Sequence, residues 1–124
     1  MQEDETVSQF TERREMLNDL VMSYAGKGIK RFFGIDSQAY SDGALPAATK
    51  ELIGLVASLV LRCDDCVKYH LIQCRKRGVN DKELEEALNI GLVVGGSITI
   101  PHLRRAFFAW DELVRNEGSD GGVE

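Results

Sequence analysis

The chain has 124 residues, of which 44% are apolar and 28% charged, the makeup of one globular domain and not of a disordered chain. Fifteen basic against twenty acidic side chains leave a net charge of -5, which excludes a surface basic enough to hold a nucleic-acid backbone. Two prolines against twelve glycines, with long runs of Ala, Leu, Glu, Lys and Arg, favour helices over a sheet sandwich.

The acidic start, Met1 to Glu5, has no apolar stretch behind it. No secretory signal is therefore expected, and a cytoplasmic location is. Residues 1–8 are polar and read as frayed. Phe10, Leu17, Leu20, Val21 and Tyr24 then recur at helical spacing up to Gly26 and Gly28, which predicts a first amphipathic helix. A short apolar turn over Ile29 to Phe33 precedes turn residues at 34–37 and 41–43, so 34–44 is expected to be mainly connector.

Pro46 suits the first turn of a second helix running through Arg62. Leu52 to Leu61 carries no charge, which predicts a core helix. Asp64 or Asp65 is the expected N-cap of a third helix that bears Cys66, Tyr69, His70, Ile72 and Cys74 and stops at Gly78. Asn80 with Glu83 three residues later reads as a capping box. The helix it starts continues through Leu84, Leu88 and Leu92 to a break at Gly95-Gly96. A last helix begins near Pro101 and carries Leu103, Phe107, Trp110 and Val114. The expectation is an all-α domain of five or six helices over 1–117, with a flexible tail over 118–124. Ser97 to Ile100 is the one strand-like alternation. The uncharged run 87–102 is interrupted by glycines and is too short for a membrane span.

Three cysteines in a reducing compartment are not a disulfide framework, so Cys63-x-x-Cys66 is open to redox, metal or coincidental readings. Cys66 and His70 are four residues apart on one helix face, within about 6 Å, where an imidazole can accept the thiol proton. A place in the first helical turn also favours the Cys66 thiolate, while Asp64 and Asp65 oppose it by like charge. Cys63 is near enough in sequence to close a disulfide with Cys66. A closed zinc site of Cys63, Cys66, His70 and Cys74 is disfavoured, because 66 and 74 lie about 12 Å apart along a helix. Cys74 reads as a small buried apolar residue. His102 is a candidate for the same pocket or a partly exposed cap. Arg104 and Arg105 read as a solvated helix face.

The stretch from Gly43 to Ile53, followed by Cys63-Asp64-Asp65-Cys66-Val67-Lys68-Tyr69-His70, resembles the carboxymuconolactone decarboxylase superfamily, and within it the alkylhydroperoxidase AhpD-like branch. The likeness covers about residues 43–110, through Gly78-Val79-Asn80, Val94-Gly95-Gly96 and Pro101-His102. It implies an all-helical homo-oligomer, commonly a trimer or hexamer. By the same resemblance Cys66 attacks a hydroperoxide, Cys63 resolves it as a disulfide, and Glu51 with His70 relays protons, with no metal or other cofactor. A dithiol protein would supply the electrons. Asp65 stands where AhpD has a histidine, which puts peroxidase efficiency in question. On spacing alone Glu51 is a solvated carboxylate about 18 Å along a helix from Cys63, so a fold-back or a neighbouring subunit is needed to bring it to His70. Two other functions compete: an acid-base enzyme on a small organic acid, using Glu51, His70 or His102 and indifferent to the cysteines, and a non-catalytic redox sensor.

Overall fold

The computed structural model describes residues 5–120, and the side chains of 5–117. Six α-helices follow in order: α1 (Val7–Tyr24), α2 (Lys27–Ala39), α3 (Ala47–Val60), α4 (Asp64–Lys76), α5 (Asp81–Gly95) and α6 (Ile100–Asp120). The fold class is all-α, as the sequence indicates. Ser97–Thr99 forms a 3-10 turn in place of a strand. Among the described residues no helix is long and apolar enough to cross a membrane.

Local chemistry sets the helix ends. Thr6 and Gln9 cap α1 reciprocally, so the helix begins inside the segment expected to be frayed. Asn80 and Glu83 do the same for α5 at 2.9 Å in both directions, each bond satisfying an N–H that the first helical turn cannot. Pro46 is the N-cap of α3, and the Asp42 carboxylate accepts the Ala47 N–H at 2.7 Å. Behind α4, Gly78 has φ 85°, a left-handed position that glycine takes without strain. The tail expected over 118–124 lies partly outside the described residues, and α6 itself continues to Asp120.

The largest departure is 27–39. The expected turn and connector is a 13-residue helix, α2. Gly28 and Gly34 sit inside it with open space around them, so neither is required for a turn. Ile29, Phe32 and Phe33 are the helically spaced apolar residues of this segment. No residue of α2 is buried.

The core lies where α3, α4, α5 and α6 meet. Leu55 and Leu59 of α3, Val67, Leu71 and Cys74 of α4, Leu84 and Leu88 of α5, and Ala106, Ala109 and Trp110 of α6 pack together. The indole Nε1–H of Trp110 donates to Asp81 at 2.8 Å, tying α6 to the start of α5. Ile53 of α3 and Leu61, just past its end, remain exposed. Leu17, Leu20, Val21 and Tyr24 of α1 are likewise exposed, although Phe10 of the same helix is buried.

Candidate active site

The α3–α4 turn presents the two cysteines. Arg62, within this turn, has φ 60°, a left-handed conformation that costs a non-glycine residue about 1 kcal/mol. The Cys63 N–H returns to the Ser58 carbonyl at 3.0 Å. Cys63, not Asp64 or Asp65, is the N-cap of α4, its sulfur accepting the Cys66 N–H at 3.3 Å. The physical reason is that both aspartates are turned outward to cationic partners on other helices. Cys66 still falls in the first turn, where free N–H groups favour negative charge. Cys63 and Cys66 are joined as a disulfide with Cα atoms 5.3 Å apart.

His70 lies one turn further along α4 and is buried. Its Nδ1 is 2.8 Å from Oε1 of Glu51, whose side chain is only 2% exposed. The chain folds back through the α3–α4 packing, so a glutamate 19 positions away reaches the imidazole within one subunit. Glu51 is not a solvated carboxylate. As an acceptor it fixes Nδ1 as the donor, leaving Nε2 as the basic nitrogen. Arg77 Nε stands 3.9 Å from the other carboxylate oxygen.

Sequence reasoning missed Tyr40. Its hydroxyl is 3.4 Å from His70 Nε2, and the rings stand 5.2 Å apart. Burial pushes the phenol pKa up, so at neutral pH it is a hydroxyl that donates to Nε2. Gly54 makes room for both groups: a Cβ there would come within 2.8 Å of His70 Cε1 and of the Tyr40 hydroxyl. Gly54, in the middle of the core helix α3, is thus a contact surface for the His70 ring. Tyr69 meets His70 edge-on at 5.2 Å, and the Arg14 guanidinium lies 4.3 Å over the Tyr69 ring.

A cavity of about 320 Å³ opens beside these groups. Phe10, Leu17 and Tyr69 give it apolar walls, and Cys66, His70 and Asp65 also line it. His102 does not. Its Nδ1 is 2.7 Å from Asp64 Oδ1, behind the cysteine turn. Arg105, expected on a solvated face, binds the other Asp64 oxygen at 2.8 Å. Cys74 is a core residue whose thiol pKa is pushed up to about 12 by burial and then by Glu51. Among the described residues no group of three or more His, Cys, Asp or Glu converges to hold a metal ion.

The model of the carboxymuconolactone decarboxylase family matches residues 29–109. The chain belongs to this family. A crystallised Thermotoga maritima protein is 54% identical, with a TM-score of 0.88 over 90% of this chain and 97% of that one. A second crystal structure of it, also at 54% identity, has a TM-score of 0.85 over 91% and 95% of the two chains. That relative is described as a family member with a suspected part in an antioxidative response. A Legionella pneumophila family protein shares the fold at 24% identity, with a TM-score of 0.79 over 86% and 95% of the two chains. An uncharacterised Cupriavidus necator protein is 35% identical over 66% of this chain and 73% of its own length.

Proposed function

We propose that the protein is a cysteine-based alkylhydroperoxidase-like enzyme or thiol-disulfide oxidoreductase of the AhpD-like branch. The observation that carries this reading is the Cys63–Cys66 disulfide one helical turn from a histidine whose Nδ1 rests on buried Glu51. The suspected antioxidative part of the 54% identical relative agrees with it.

In the reduced enzyme the Cys66 proton passes to His70 Nε2, and Glu51 stabilises the resulting imidazolium. The thiolate attacks the distal oxygen of a hydroperoxide, the O–O bond breaks, and Cys66 becomes a sulfenic acid. His70 returns its proton to the departing alkoxide. The Cys63 thiol then attacks the Cys66 sulfur and releases water, giving the disulfide. A dithiol protein reduces it by exchange, taking up the oxidising equivalents as its own disulfide. The apolar walls of the cavity suit an organic hydroperoxide or a disulfide.

The exposed apolar side chains Leu20, Ile29, Phe32 and Ile35 on α1 and α2 support assembly as a homo-oligomer, a trimer or hexamer, in which they are covered. The free thiol chemistry fits a reducing compartment, and we place the protein in the cytoplasm.

The test is the mass of the reduced protein under denaturing alkylation, before and after one equivalent of peroxide. Loss of two hydrogens, with Cys63 linked to Cys66, is expected. Two thiols retained after the dose would transfer the Glu51–His70 pair to acid-base chemistry on an organic acid.

A further inference from the structure

Two carboxylates stand between and beside the reactive sulfurs in Cys63-Asp64-Asp65-Cys66. Negative charge this close raises a thiol's pKa and works against the thiolate that the proposed function needs. Each carboxylate is met by an arginine from a different helix. Asp64 Oδ2 accepts from Arg105 Nε of α6 at 2.8 Å, and its Oδ1 accepts from His102 Nδ1 at 2.7 Å. Asp65 Oδ1 accepts from Arg13 Nη2 of α1 at 3.1 Å.

The two arms differ in strength. The Asp64 arm is sheltered, with the Asp64 and Arg105 side chains 19% and 22% exposed. The Asp65 arm is wetter, with Asp65 51% exposed, and solvent screens it more. Arg13 is also held by Glu5, through Nε at 2.8 Å and Nη2 at 3.1 Å, and Glu5 reaches Lys68 at 3.4 Å. The guanidinium is thus fixed at its place before Asp65 is counted. Arg13, Asp65 and Cys66 all line the cavity.

We propose that Arg105 and Arg13 are positioning residues that cancel the charges of Asp64 and Asp65 and so allow Cys66 to ionise inside an acidic turn. The inference rests on the redox reading of Cys66, but it concerns the thiol itself and not its oxidant.

The experiment uses reduced Cys63→Ser protein, in which Cys74 is buried and Cys66 is the exposed thiol. The rate of Cys66 alkylation by iodoacetamide is followed against pH by mass spectrometry. Arg105→Gln should slow it about tenfold at pH 7 and Arg13→Gln about threefold, each moving the inflection to higher pH. Adding Asp64→Asn to the first and Asp65→Asn to the second should restore the parent profile. The lysine replacements should leave the rate within about twofold of the parent. A structural defect would not be rescued by removing a carboxylate. If Arg105→Gln does not fold, the single variants Asp64→Asn and Asp65→Asn carry the test, since each removes a negative charge beside Cys66 and should speed alkylation. Unmoved profiles, or failure of the asparagines to restore the rate, overturn the proposal. Peroxide consumption by the intact protein is measured separately. A rescued alkylation cycle without peroxide turnover keeps the charge cancellation and rejects the peroxidase.

Discussion

Glu51 Oε1 and His70 Nδ1 meet at 2.8 Å in the buried seam between α3 and α4. The contact sets the imidazole tautomer, because an ionised carboxylate can only accept and so holds the proton on Nδ1. It also places a negative charge where an imidazolium would form. Glu51→Gln keeps the hydrogen bond and removes that charge. The peroxide reaction of reduced protein should fall about tenfold at pH 7. Part of the loss should return at alkaline pH, where the thiol ionises without help. A uniform loss at every pH would mean that Glu51 serves packing alone.

Gly54→Ala is expected to separate catalysis from folding. Its new Cβ would lie 2.8 Å from His70 Cε1 and from the Tyr40 hydroxyl, closer than such contacts allow, so the ring must leave its place. Alanine's better helix propensity, about 1 kcal/mol, offsets part of the overpacking. Helix content should hold while the peroxide reaction drops at least about tenfold. Unchanged kinetics would show that the ring position is not needed.

Tyr40→Phe removes the hydroxyl 3.4 Å from Nε2 and keeps the ring contact. The rate should rise by about threefold at pH 7, because the hydroxyl no longer occupies the Nε2 lone pair that takes the Cys66 proton, with a changed pH profile and an unaltered melting temperature. A slower reaction would instead show that the hydroxyl holds the imidazole in place for Cys66.

Cys74 should resist alkylation in the folded protein. Its thiol is raised from an ordinary value of 9.0 to about 12, so the native state holds its proton more tightly than the unfolded chain does. The stability this gives is complete below pH 9 and is lost as pH rises through about 12. Over that window Cys74→Ala should lose less stability than the parent, at a cost of roughly 1 kcal/mol near neutral pH from the vacated core. Equal pH slopes in urea titrations would contradict this.

What the sequence made legible is what local spacing controls. Cys66 and His70 at one helical turn, the Asn80 and Glu83 capping pair, and the break at Gly95-Gly96 each depend on residues a few positions apart. The partnership of Glu51 with His70 depends on how α3 packs on α4, and in sequence it rested on resemblance alone. Tyr40 was hidden because 34–44 looked like connector, and its role comes from a contact 30 positions away. Arg105 looked like a solvated charge and Arg13 gave no signal at all, since a sequence pattern does not show which carboxylate a long side chain will meet. α2 was missed because its two glycines outweighed Ile29, Phe32 and Phe33 in a helix that this chain alone does not bury.

The order of attack tests the central claim most directly. Cys63→Ser and Cys66→Ser proteins, reduced and given one equivalent of peroxide, are trapped with a sulfenic-acid reagent and their labelled residues identified by mass. The account predicts a sulfenic acid on Cys66 in the Cys63→Ser protein after a single turnover, and no rapid reaction in the Cys66→Ser protein. Rapid labelling of Cys63 when Cys66 is absent, with a Cys66 that stays unmodified when Cys63 is absent, would contradict it.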